Sequence, residues 1–221
     1  MPLIQKPEQT TLGHIFNLKD LDRKIYSDDE IKSFRLDESI NNHPLARKPT
    51  SIRSKLAYKE ILRNLKPDKR YILPGQIVLF NYSQPKFKEE LEYYDNYPFC
   101  ISFGIMRTED GNIRECMLNL HYYPPFTRAR ILQQVFTHFR PYFEKYFNEA
   151  STKPNTVMSY KMLKHLLKTN QKLAFGTKMY IPVLRGVTFN IPARLLPTAF
   201  YTEGKFSKAT LQQIFHFWRQ F

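Results

Sequence analysis

The chain has 221 residues, of which 42% are hydrophobic and 15% aromatic, with a formal net charge of +14. That length supports one large domain with arms, the apolar content excludes a chain disordered throughout, and the 7 scattered glycines leave no Gly-rich cradle for a phosphate. The charge is unevenly laid out: residues 1–121 hold 19 Lys/Arg against 17 Asp/Glu, whereas residues 122–221 hold 15 against 3. The C-terminal half is therefore expected to face a polyanion.

Residues 1–46 alternate in charge, carry scattered apolar residues and close on Asn41-Asn42-His43-Pro44. They are expected to form an extended N-terminal arm, mobile until it lies on a partner, with one short helix at 27–34 capped by Ser27. The first six residues lack the apolar core of a secretory signal, and no apolar run reaches membrane-spanning length, so no membrane partner is expected. Residues 47–221 are expected to be a single domain. Ile52, Leu56, Ile61, Leu62 and Leu65 give an apolar stripe that predicts a helix over 51–65, capped by Ser51, with Arg53, Lys55, Lys59 and Arg63 on its other face.

A β section follows. Pro74-Gly75 opens a predicted strand at 76–82, and a polar loop covers 83–96. Strands at 99–107 and 113–120 are joined by Glu109-Asp110-Gly111-Asn112, whose Asp-Gly suits a tight turn. Pro124-Pro125 starts a predicted helix at 126–147, with Ile131, Leu132, Val135, Phe136 and Phe139 inward and a kink at Pro141. A helix is predicted at 159–168, strands at 173–182 and 183–191, and a last helix at 208–219 capped by Ser207. The sum is an α+β fold: a small five-stranded, SH3-like or barrel-like antiparallel sheet with surrounding helices and the arm.

Cys100 and Cys116 lie in apolar strand-like runs and are expected to be buried free thiols. The histidines (His14, His43, His121, His138, His165 and His216) are too dispersed for a metal-ligand pair, so no metal and no cofactor is expected. No activated nucleophile is apparent. A metal-dependent nuclease would have to use Asp68 beside Lys69, or Glu89, Glu90, Glu92 and Asp95; the plainer reading makes Asp68 a turn residue and the Glu run a solvated loop. No catalytic residues and no enzymatic activity are expected. Nucleic-acid contact is expected from Arg128, Arg130, Lys161, Lys164, Lys168, Lys172 and Lys178, with duplex binding that weakens steeply with salt.

The most distinctive segments are Tyr93-Tyr94-Asp95-Asn96-Tyr97-Pro98-Phe99 and the run from Leu118 to Arg130. Interleaved Tyr, Asp, Asn and Pro fit either an aromatic platform for a strand of nucleic acid or loops closed by Asx turns; the turn chemistry favours the second. Pro74, Gly75, Tyr93, Tyr94, Asp95 and Pro98, then Asn119, His121, Tyr122, Pro124, Pro125 and Arg128, form a pattern over about residues 74–132. It resembles a family of small virion proteins of T4-like tailed bacteriophages, of the DNA-end protector or head-completion type. Members usually carry Gly-rich residues where this chain has Asn112 to Met117. The resemblance implies a structural component of the particle at the head–tail junction or tail. It would contact packaged double-stranded DNA and neighbouring portal, ring or tail proteins, in a homo-oligomeric ring, in the virion and in the host cytoplasm during assembly. The alternatives are a tail or baseplate component without DNA contact and the nuclease.

Overall fold

The computed structural model describes residues 36–68, 72–83, 94–108, 110–139, 141, 158–159, 167–168 and 170–206. The helices expected at 27–34 and 208–219 lie outside these residues, as do most of the expected 83–96 loop and 160–166 of the expected 159–168 helix. Residues 36–46, read from sequence as the end of the arm, belong to the folded body. Helix α1 (Leu36–Asn41) and the 3-10 turn Pro44–Arg47 bury Leu36, Ile40 and Leu45 in the main core.

Helix α2 (Thr50–Asn64) begins beside Pro49, whose carbonyl accepts from the amides of Ile52 and Arg53 at 3.0 and 2.9 Å. The expected Ser51 cap is thus one turn element inside the helix. Its buried face is Ala57 and Ile61; of the expected stripe Ile61 is buried and Leu65 packs against the core, whereas Ile52, Leu56 and Leu62 are 50%, 39% and 57% exposed. The reason is polar. Arg53, Ser54 and Tyr58 all bond to Glu203, and this fixes which side of the helix faces the body.

The sheet has the order β5-β3-β2-β1-β6, with every pair along it antiparallel. Its strands are β1 (Ile77–Tyr82), β2 (Phe99–Arg107), β3 (Ile113–Asn119), β5 (Thr177–Tyr180) and β6 (Arg185–Asn190). A two-residue strand, β4 (Met158–Ser159), pairs parallel with the end of β2. Five antiparallel strands are as expected, but β5 and β6 are two separate edges and the sheet is open, not a closed barrel. The β2–β3 hairpin turns at Gly111, whose φ of 79° is the left-handed region that glycine tolerates. A bulge at Phe103 shifts the β2 register, so that Phe99, Ile101 and Phe103 share the large core with Met106. The opposite face carries a smaller apolar cluster that includes Val78, Phe80, Cys100 and Met117. Both cysteines are buried free thiols, and burial pushes Cys116 up to about 12.

Helix α3 (Pro125–Gln134) passes into a π turn, Val135–Phe139, just ahead of Pro141. Pro141 has no N–H to continue the ladder, and the widened turn fits that loss. Ile131, Leu132, Val135, Phe136 and Phe139 are buried, as their spacing predicts. The strand expected from Leu173 is instead helix α4 (Gln171–Gly176) running directly into β5. A short apolar run does not distinguish the two by periodicity. Tyr123 secures this junction: its hydroxyl accepts from the Gly176 amide at 2.8 Å, and its ring occupies the place of a Cβ on Gly176. Gly176→Ala is expected to lower stability by about 1–3 kcal/mol, read as a lower urea midpoint; an unchanged midpoint would show that the ring can move aside. The last described elements are a 3-10 turn, Ala193–Leu195, and helix α5 (Leu196–Ala199), after which residues 200–202 are buried and residues 203–206 are half-buried or exposed.

Candidate functional site

The two segments that stand out in the sequence meet in space, around residues 200–206. At the end of β3, Asn119 caps the 3-10 turn Leu120–Tyr122: its Oδ1 accepts from the His121 amide at 3.0 Å. Pro124 and Pro125 then set the start of α3, where a missing N–H costs nothing. Arg128, in the first turn of α3, reaches back to the Leu120 and Tyr123 carbonyls. The spacing Asn-x-His-x-x-Pro-Pro-x-x-Arg is therefore a cap, a turn and a helix start whose polar side chains converge.

Asp95 is the centre of the first cluster. Its Oδ1 accepts from the amides of Tyr97 and Lys205, both at 3.1 Å, and its Oδ2 from His121 Nδ1 at 2.7 Å and Asn119 Nδ2 at 3.1 Å. Burial alone would raise the carboxyl pKa, but the facing His121 charge and the four donors outweigh it and hold Asp95 below the ordinary aspartate value. On the other side of the ring, His121 Nε2 lies 3.0 Å from Thr202 Oγ1, and that hydroxyl donates to the Ala199 carbonyl at 2.6 Å. Nδ1 donates to the carboxylate, and Nε2 and the Thr202 hydroxyl are within hydrogen-bond distance of each other.

Carboxylate, imidazole and hydroxyl in line is also the order of a hydrolase triad. Here the Thr202 hydroxyl also bonds to the Ala199 carbonyl at 2.6 Å. His121 and Thr202 are closed to solvent and Asp95 nearly so. What the arrangement does is tie the Leu120–Tyr122 turn and the Asp95–Tyr97 turn to the 199–206 segment, which also forms a bridge between Asp95 and Phe206.

The second cluster surrounds Arg128, which is completely buried. Nε donates to Leu120 and Tyr123 carbonyls at 2.8 and 2.6 Å, one terminal nitrogen to the carbonyls of Phe200 and Thr202, and the other to Glu203 Oε2 at 3.2 Å. Burial lowers its pKa, and the Glu203 carboxylate opposes that. Arg53 of α2 approaches the same carboxylate at 3.6 Å.

Arg128 is thus not the surface contact expected from sequence. Its guanidinium is spent on carbonyls because the helix start that exposes most first-turn side chains is here covered by residues 200–203. Of the other expected contacts, Arg130 and Lys168 are exposed. The segments that carry them touch where Asn170 donates to Gln134, one turn beyond Arg130, at 3.3 Å. Lys178 is half-buried, its ammonium 4.6 Å from the Tyr122 ring centroid, and burial lowers its pKa. Lys172 belongs to α4 by its backbone. Lys161 and Lys164 lie outside the described residues, as do Lys69, Glu89, Glu90, Glu92 and Tyr93. Tyr94 is buried and donates to the Tyr82 carbonyl at 2.9 Å, as the loop-closing reading expects. Asp68 accepts from Asn190 at 2.5 Å beside the sheet.

The densest run of exposed cations among the described residues lies elsewhere, along α2 and its flanks: Arg47, Lys48, Lys55, Lys59, Arg63 and Lys66. The half-chain charge count hides it, because acids in residues 1–46 and 84–115 cancel it. A shorter window finds it, since Glu60 is the one acid between residues 47 and 66.

Among the described residues no helix is long and apolar enough to cross a membrane. The model of a family described as the phage T4 terminal DNA protecting protein matches residues 14–170. No curated protein and no solved structure matches the chain.

Proposed function

The chain belongs to the phage T4 terminal DNA protecting protein family, and from that premise we propose that it binds the ends of the phage's double-stranded DNA and shields them by covering them, without cutting. The match over residues 14–170 carries this reading. A formal charge of +14 supports a polyanionic partner. The closed Asp95–His121–Thr202 line supports holding over hydrolysis, because a hydroxyl sealed from solvent cannot reach a substrate.

An end-bound protein belongs where the packaged genome terminates, so the reading puts it in the virion at the head–tail junction, against portal, ring or tail proteins and in several copies. Electron microscopy of intact particles tests that placement. A position in the baseplate, away from DNA, would favour the alternative tail role.

The direct test uses purified full chain, linear duplex and a processive exonuclease. Pre-bound protein is expected to preserve the linear duplex. With magnesium, manganese or zinc and no exonuclease, the DNA is expected to stay uncut. Metal-dependent cleavage that disappears in Asp68→Ala would overturn the non-catalytic reading; failure to preserve ends would overturn the protective one.

A further inference from the structure

We propose that the outward face of α2 is the surface that receives the duplex end, with Lys55, Lys59 and Arg63 against backbone phosphates and Ile52, Leu56 and Leu62 against the terminal base pair. This rests on the DNA-end reading and names the part of the chain that performs it.

At 3.6 residues per turn these six positions fall within about 120° of arc, opposite the arc centred on Ala57 and Ile61. Ala57 and Ile61 are fully buried, whereas the three apolar residues of the outward face are 39–57% exposed. The face carries no acid. Glu60, the helix's acid, lies to one side and accepts from the Thr198 hydroxyl at 3.2 Å. Lys55, Lys59 and Arg63 have no ion-pair partner among the described residues, and Arg47, Lys48 and Lys66 extend the positive strip at both ends.

Charge complementarity selects a polyanion, and the exposed aliphatic groups select which part of it. The side of an intact duplex offers sugar, phosphate and groove edges, where three large aliphatic side chains gain little. A duplex end offers in addition the flat apolar face of its last base pair, with phosphates within reach around it. A helix that interleaves cations with aliphatic groups matches both at once. An anionic lipid surface is the other polyanion with an apolar layer, but helices that lie in it segregate a continuous apolar face from their cations. Around α2 the order is Leu62, Lys55, Lys59, Ile52, Arg63, Leu56, so no such stripe exists.

Anchoring supports the same assignment. The inward side of α2 is fixed by Tyr58 to the Glu203 carbonyl, by Ser54 to the Glu203 amide and by Arg53 to the Glu203 carboxylate. The six outward residues take no part in that attachment, so they can be changed without loosening the helix.

The test compares full-chain binding to a linear duplex and to the same sequence as a closed circle, across a salt series, with urea midpoints to confirm folding. The triple variant Lys55→Gln, Lys59→Gln, Arg63→Gln is expected to weaken binding to both forms and to reduce the log–log salt slope by about 0.9 per cation removed. The triple variant Ile52→Ser, Leu56→Ser, Leu62→Ser is expected to keep circle binding and to lose the preference for linear DNA by about tenfold. Parent-like behaviour of both variants, in a parent that prefers ends, would overturn the α2 assignment and leave the DNA-end reading standing. A parent that does not prefer linear DNA would overturn both. Binding to phosphatidylserine vesicles that either variant abolishes, with DNA binding unchanged, would give the face to a membrane and overturn the proposal.

Discussion

Arg128→Met is expected to lower the unfolding free energy by about 3–5 kcal/mol, the scale for removing one member of a buried, hydrogen-bonded ion pair. Methionine fills much of the volume, so the loss measures polar groups left without a donor rather than a cavity. Four carbonyls, from Leu120, Tyr123, Phe200 and Thr202, and the Glu203 carboxylate would lose their shared donor. Arg128→Lys is expected to recover only part of this, because one ammonium cannot present the planar fork that reaches both sides of the turn. Urea unfolding followed by circular dichroism reads the effect. A variant that keeps its midpoint but loses DNA binding would instead return Arg128 to the surface role that its position in the sequence first indicates.

Asp95→Asn is the second large effect, expected at about 3 kcal/mol at neutral pH, because the amide puts a donor where the buried carboxylate accepts from His121 Nδ1 and Asn119 Nδ2. The pH dependence has a definite sign. The folded pKa of Asp95 is depressed, so the stability it contributes is fully present above its unfolded value, about 3.9, and is lost as pH falls through the lower folded value. The stability gap between parent and Asp95→Asn should therefore shrink on acidification below that unfolded value. A gap that stays constant through this window would mean that the carboxylate is not the charged partner. Asp95 is also one of the two carboxylates that a nuclease reading would first mutate, and loss of activity in its variants would report unfolding. Asp68 is the informative position for that question.

Much of the sheet was legible because its signals are local. The β2 limits, the Asp110-Gly111 turn and the inward residues of α3 follow from alternation, turn chemistry and helical spacing, each contained in a few neighbouring residues. The α2 positions Ile52, Leu56 and Leu62 were misread as inward because the packing side is chosen by Glu203, 145 residues along the chain from Tyr58 and 149 from Ser54. Separations of 81 and 75 residues likewise hid the partners of His121 and Arg128. Thr202 and Glu203 lie in an irregular stretch with no periodic pattern, and nothing nearby marks them as acceptors for a histidine and an arginine. The recognised pattern itself held clear information, but about architecture: Asp95, Asn119, His121 and Arg128 are the residues that close the core, not those that touch a ligand. Barrel closure could not be read either, since strand count alone does not decide whether the two edge strands meet.

Glu203 has a mechanical consequence. Its amide, carbonyl and carboxylate each hold a residue of α2, while the same carboxylate holds Arg128 in the core. A helix attached at three points to a closed interior has little freedom to swing or rotate, so its cations and aliphatic groups keep one spacing whether or not anything is bound. Association then gives up little conformational entropy, and more of each contact is retained as affinity. The exposed surface and the sealed polar centre, which share no ligand contact, are in this sense one rigid part, and loosening the hidden half would blur the geometry of the visible one.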